Sequence, residues 1–150
     1  MSAATEATRA IANLLAGHRY HYASEAELQT TIGHILTRDG YSVRREVTLD
    51  DARQDRIDFL IARHPNLAGK RRLEGKHPRD FDGASTPVIG IEAKVKGGNI
   101  AAIRRQVLRY LASDRVDGLV LVSNKFTHAA VCRGLPEEKP VLFACIARAA

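Results

Sequence analysis

The chain predicts an α/β fold in which a central mixed β-sheet is flanked by helices. Three observations predict it. Three strand-like segments follow a helical one in succession between Tyr41 and Lys96. A second helical segment then intervenes before the next strand, so a meander gives way to a helical crossover. Within that later strand, Leu119 to Val122 is wholly apolar, as suits a strand covered on both faces.

The elements follow in order. Ile11, Leu14 and Leu15 sit at helical spacing between about Thr5 and Ala16, predicting a short N-terminal helix that ends near Gly17. A basic, aromatic connector, His18 to Tyr22, comes next. Ser24-Glu25-Ala26-Glu27 reads as a capping box, with Ser24 as the cap and Glu27 reaching back. Leu28, Ile32, Ile35 and Leu36 supply that second helix with its buried stripe, and Gly40 stops it. Period two over Tyr41 to Leu49 puts Tyr41, Val43, Val47 and Leu49 on one strand face. After a turn at Asp50-Asp51-Ala52, the strand Arg56 to Ala62 should direct Ile57, Phe59 and Ile61 one way and Asp58 the other. A basic insertion loop, residues 63–86, separates it from a strand running from Pro87 to Lys96. A helix over about Ile100 to Ser113, a strand Val116 to Ser123, a short helix near Thr127 to Arg133 and a strand Val141 to Ile146 complete the chain. With no repeat and no Ser/Gly linker, residues 1–150 read as one domain, with residues 1–22 as a helical extension.

Composition narrows the function. A net charge of +6 favours polyanionic partners, because neutralising phosphates releases condensed counterions. The two cysteines lack zinc-site spacing and are too few for a disulfide framework, which suits a reducing, cytoplasmic setting. No apolar run is long enough to span a bilayer, so no membrane partner is expected. The six histidines are scattered without metal-site spacing. There is neither a phosphate-binding Gly-rich Lys-Ser/Thr loop nor a dinucleotide fingerprint. Gly97-Gly98 before a helix offers only a weak anion-binding signal.

The chemistry concentrates at the third strand. There Gly90, Glu92 and Lys94 share a face, opposite Ile89, Ile91, Ala93 and Val95. If this strand pairs with the one carrying Asp58, the two carboxylates converge beside an ammonium group. Two hard carboxylates suit Mg²⁺, which accepts few protein ligands and keeps water and phosphate in its remaining positions. The Ala93 carbonyl could add a ligand. Mn²⁺ is expected to substitute for Mg²⁺. The same Glu-x-Lys alternation also occurs on solvated strand faces as an ion pair. What distinguishes it here is the order of elements around it and the Gln106-x-x-x-Tyr110 spacing in the following helix.

Asp58, then Glu92-Ala93-Lys94 after an apolar strand, then Gln106-x-x-x-Tyr110, resembles the PD-(D/E)xK nuclease superfamily across roughly residues 24–124. The glutamine-tyrosine element is similar to the branch that includes nuclease domains of bacterial recombination helicase-nucleases. The brevity of the chain is similar to archaeal Holliday-junction resolvases and small phage or mobile-element nucleases. The resemblance implies a restriction-endonuclease-like core of helix, three strands, helix and strand. It implies Asp58 and Glu92 as metal ligands, Lys94 as the catalytic lysine, and Gln106 and Tyr110 as supports for the metal-water site or a DNA phosphate.

Many members add a glutamate from the first core helix. Glu25 lies on the stripe of Leu28, Ile32 and Leu36, whereas Glu27 points away and serves the cap, so Glu25 is the choice. Ile57 stands where the family name has proline. Asp80 and Asp82 compete for the metal but lie among loop-forming residues. Tyr110, Lys96 and the insertion cations Lys70, Arg71, Arg72 and Lys76 are expected to contact nucleic acid. The implied function is Mg²⁺-dependent hydrolysis of DNA, with RNA also compatible, by endo- or exonucleolytic attack. A homodimer would supply two sites for cutting two strands. The rival is a nucleic-acid-binding module on the same fold without catalysis.

Overall fold

The computed structural model describes residues 1–63, 67–75 and 86–149. It contains a five-stranded mixed sheet flanked by helices on both sides. Helix α1 (Ala3–Ala16) and helix α2 (Glu25–Arg38) precede a long hairpin of β2 (Tyr41–Asp50) and β3 (Asp55–Arg63). Then follow α3 (Leu67–Leu73), β4 (Ile89–Lys94), α4 (Ile100–Leu111), β5 (Gly118–Ser123), a 3₁₀ helix (Phe126–Cys132) and β6 (Val141–Cys145). The sheet order is β2-β3-β4-β5-β6, antiparallel as far as β4 and parallel from β4 to β6. A separate two-residue strand β1 (Arg19–Tyr20) pairs in parallel with β7 (Ala147–Arg148). Among the described residues, no helix is long and apolar enough to cross a membrane.

Two cores sandwich the sheet. On one side α1 and α2 bury Ile11, Leu15, Leu28, Ile32 and Leu36 against Phe59, Ile61, Ile89, Ile91, Val120 and Val122. On the other, α3, α4 and the 3₁₀ helix bury Leu73, Ile103, Val107, Tyr110 and Val131 against Leu60, Ala62, Leu119 and Leu121. The apolar run of β5 is thus divided alternately between both cores, as a doubly covered strand requires. Helix α1 is an integral layer of the fold rather than an appendage, since it packs on β5 and β6.

The hairpin departs from the flat period-two expectation. Val43 and Phe59 belong to the α1/α2 side, yet Val47, Leu49 and Ile57 pack on the α4 side. Tyr41 and Val43 therefore do not share a face with Val47 and Leu49, and Ile57 does not share one with Phe59 and Ile61. Both strands change face together, while their pairing holds from Arg45↔Phe59 to Val47↔Ile57. The residue between, Glu46, has φ 52°, a conformation costly for a residue with a Cβ. Beyond Phe59↔Ile91 the ladder between β3 and β4 ends, so the outer hairpin is a two-stranded ribbon, which twists more strongly than a full sheet. The rotated Ile57 fills the space over Gly90, where a Cβ would stand 2.5 Å from Ile57 Cδ1.

Three contacts hold this twisted ribbon against α4 and the turn that follows it. Tyr110 donates from its hydroxyl to the Arg56 carbonyl at 2.8 Å. Arg109 Nε donates to Asp55 at 2.9 Å, and Arg115 Nη1 to the Thr48 carbonyl at 2.7 Å.

The basic segment after β3 is not a plain loop, because Leu67–Leu73 is helical. One of its cations, Arg72, is structural. It is 6% exposed and grips both carboxylate oxygens of Asp117 at 2.6 and 2.8 Å, so it cannot contact nucleic acid as expected. Lys70 lines a cleft with Tyr41, Ser42 and Arg44 at the start of β2, away from the Asp58 end of the sheet. Arg71, one residue on from Lys70, is partly buried on the same short helix. Lys76, Asp80 and Asp82 lie outside the described residues.

Candidate active site

Asp58 and Glu92 meet where β3 and β4 part. The lost ladder bonds are replaced by side chains from the opposite strand. The Ala93 N–H donates to Asp58 Oδ2 at 2.8 Å, and the Asp58 N–H faces Glu92 Oε2 at 3.3 Å. Each carboxylate is therefore fixed by the backbone that bears or adjoins the other. Strand separation, and not a shared flat face, brings them together. Lys94, two residues along β4, places its Nζ 2.8 Å from Glu92 Oε1.

The electrostatics follow from burial. Glu92 is 3% exposed. Burial, reinforced by the neighbouring Asp58 charge, pushes its pKa from 4.5 up to about 7 against the opposing pull of Lys94. Burial raises Asp58 too, partly offset by the Ala93 N–H and the Lys94 charge. Burial alone would lower Lys94, but Glu92, Asp58 and Glu25 outweigh it and hold the ammonium above its ordinary value. Lys94 is accordingly a cation at neutral pH.

Glu25, the first residue of α2, is close enough for its charge to act on both Asp58 and Lys94. Glu27 is engaged elsewhere. Its side chain accepts from the Ala23 N–H at 2.6 Å, while its own N–H donates to Ser24 Oγ at 3.2 Å. This reciprocal pair closes the start of α2 as the sequence suggests, one residue earlier than a standard capping box.

Gln106 and Tyr110 form a supporting unit. Gln106 Nε2 donates to the Tyr110 hydroxyl at 2.7 Å, and that hydroxyl holds the Arg56 carbonyl two residues before Asp58. Burial and the nearby Glu92 and Asp58 charges drive the phenol pKa far above its ordinary value. Tyr110 is 1% exposed with its hydroxyl occupied, so the expectation that it touches nucleic acid is corrected. It positions β3. Gln106 is partly exposed and lines a polar cleft with Arg53, Arg56 and Arg109.

Sequence reasoning missed the neighbours supplied by β5. Ser123 lies beside Lys94 in parallel register. Its Oγ is 2.7 Å from His128 Nδ1 and accepts the Lys125 N–H at 3.0 Å. Burial lowers the His128 pKa, with Lys125 and Lys94 adding to the effect. Asn124 Nδ2 donates to the Tyr22 hydroxyl at 3.0 Å, joining this rim to the segment before α2. The available signal was positional: the polar run Ser123-Asn124-Lys125 follows an apolar strand, where α/β sheets collect ligands at the carboxyl ends of parallel strands.

Among the described residues, no three His, Cys, Asp or Glu side chains form a ready-made metal cage. The donor set nevertheless suits a hydrated hard cation. Two adjoining carboxylates and Glu25 outnumber the single Lys94 ammonium, and Asp58 Oδ1 has no protein partner among the described residues. Mg²⁺ characteristically accepts one or two carboxylates and retains water. Compared with family models, curated proteins and solved structures, the chain matches none.

Proposed function

We propose that this protein is a divalent-cation-dependent nuclease that hydrolyses DNA phosphodiester bonds, in the manner of the PD-(D/E)xK superfamily its motifs resemble. The observation that carries the reading is the meeting of buried Asp58 and Glu92 with Lys94 at the parting of two strands. A purely structural ion pair would need one carboxylate. The second carries a desolvation cost that a bound cation would offset, and perturbed carboxylates grouped in this way characterise functional sites.

Asp58 and Glu92 would hold Mg²⁺, with Mn²⁺ as a substitute, and Glu25 and the Ala93 carbonyl would complete the approach. When bound, the ion supplies Lewis-acid polarisation of the phosphate and offsets its developing charge. Lys94 keeps its proton and directs positive charge at the phosphate oxygens, the preorganised stabilisation that water provides poorly. Gln106 and Tyr110 keep β3, and thus Asp58, in place through Arg56. Lys96 on the loop after β4 would meet the DNA backbone. The net charge of +6 supports a polyanionic substrate.

A second reading, binding without cleavage, is favoured by the absence of a ready-made third ligand among the described residues. One experiment separates the two. Linear duplex, single-stranded, flap and four-way-junction DNA are incubated with the wild-type protein, Asp58→Ala and Lys94→Ala, with Mg²⁺ or chelator. Nicked or shortened products are expected only with Mg²⁺ and wild type, and each substitution should slow cleavage by about 10²-fold or more. Retained binding with no product from any form would establish the second reading instead.

A further inference from the structure

Phe126 is the most exposed large hydrophobic residue among those described, at 77%. Scattered exposed apolar residues are ordinary, but this one is neither on a loose segment nor in neutral surroundings. It opens the 3₁₀ helix three residues after Ser123, whose backbone lies beside Lys94. Its Cα is therefore within about 11 Å of that of Ser123 by chain geometry.

Buried or bonded groups fix the backbone on both sides of it. The Lys125 N–H donates to Ser123 Oγ, and the His128 N–H to the Lys125 carbonyl at 3.0 Å. The His128 ring is itself buried against Ser123 Oγ. An aromatic ring is thus held outward on a rigid turn instead of collapsing onto the core.

The surroundings are cationic and lead to the site. Lys125 Nζ lies over Gly97, 3.3 Å from where a Cβ on that glycine would stand. Lys96 precedes it on the same exposed loop, and Lys94 lies at the end of β4. Lysines at the carboxyl ends of two neighbouring parallel strands therefore lie in the same region of the fold as the exposed ring. A nucleic acid presents that pairing in reverse, with phosphates on its backbone and flat apolar bases beside them. Bases in a duplex are already stacked and paired, so only an unpaired base can lie on the ring.

We propose that Phe126 is a stacking platform for an unpaired base next to the phosphate held at Asp58, Glu92 and Lys94, making single-stranded segments of DNA the preferred ligand. The identity of the ligand rests on the nuclease reading, but the test reads binding and is independent of cleavage. A short single strand containing 2-aminopurine and a matching blunt duplex are titrated with wild type, Phe126→Ala and Phe126→Trp, with Ca²⁺ in place of Mg²⁺. Phe126→Ala should weaken single-strand binding roughly 5- to 100-fold while weakening duplex binding much less. It should also abolish the fluorescence change of the stacked 2-aminopurine, and Phe126→Trp should restore both.

An unchanged melting temperature will show that Phe126→Ala folds. Equal losses on both DNAs, or no loss on either, would overturn the proposal. So would a wild-type dimer that Phe126→Ala dissociates, because the ring would then belong to an interface between copies. If wild type cleaves nothing yet Phe126→Ala selectively loses single-strand binding, the platform stands and only the catalytic reading falls.

Discussion

Glu92 provides a quantitative test of the site's electrostatics. The folded chain holds its proton more tightly than the unfolded chain does, with a pKa raised from 4.5 to about 7. The stability linked to that proton is complete below pH 4.5 and is lost as the pH rises through about 7. The difference, about 7 less 4.5, is about 2.5 pH units, which at 1.36 kcal/mol each is about 3 kcal/mol. Asp58 is displaced in the same direction, so the two carboxylates lose protons as a coupled pair. Glu92→Gln keeps the shape and removes the titration. Urea unfolding followed by far-ultraviolet circular dichroism, across this range and in chelator, should show the variant gaining about 3 kcal/mol on wild type between about pH 4.5 and 8. That gain is independent of any constant offset between the proteins. Parallel stability curves would instead mean that Glu92 is no more desolvated in the fold than outside it.

Two further predictions concern the frame around the site. Asp117→Ala should cost about 3–5 kcal/mol in the same urea assay, since it strips the buried Arg72 of its carboxylate partner and leaves that charge uncompensated; a loss below about 1 kcal/mol would assign Arg72 to solvent. Gly118→Ala should cost about 1–3 kcal/mol, because its Cβ would collide with Thr8 Oγ1 of α1 and stand 3.0 Å from Pro140, and an unchanged midpoint would detach α1 from the core.

Much of the fold was legible from local chemistry. Ser24 and Glu27 announced the start of α2, and the uninterrupted apolar run of β5 announced a strand covered on both sides. The convergence of Asp58 and Glu92 was also foreseeable, but its cause was not. Period two presumes a flat strand, whereas this hairpin changes face at a positive-φ glutamate, and no local pattern marks Glu46 for that conformation. Arg72 looked like a surface cation because its partner, Asp117, lies 45 residues away. The pairing of β1 with β7 rests on two residues at each end of the chain, too few to produce a periodic signal. The Gln106-x-x-x-Tyr110 spacing was legible in the sequence, but the burial of Tyr110 was not. That its hydroxyl holds the strand bearing Asp58 depends on the twist of the ribbon, which only the assembled structure reveals.

Whether Asp58 and Glu92 share a divalent ion is read by Mn²⁺ titration followed by electron paramagnetic resonance. The free-ion signal should diminish on adding wild type, and Asp58→Asn and Glu92→Gln should each abolish that uptake. Lys94→Ala should take up Mn²⁺ at least as tightly as wild type, because it removes the competing ammonium 2.8 Å from Glu92. Uptake undiminished in both carboxylate variants would mean that Asp58 and Glu92 hold no ion between them.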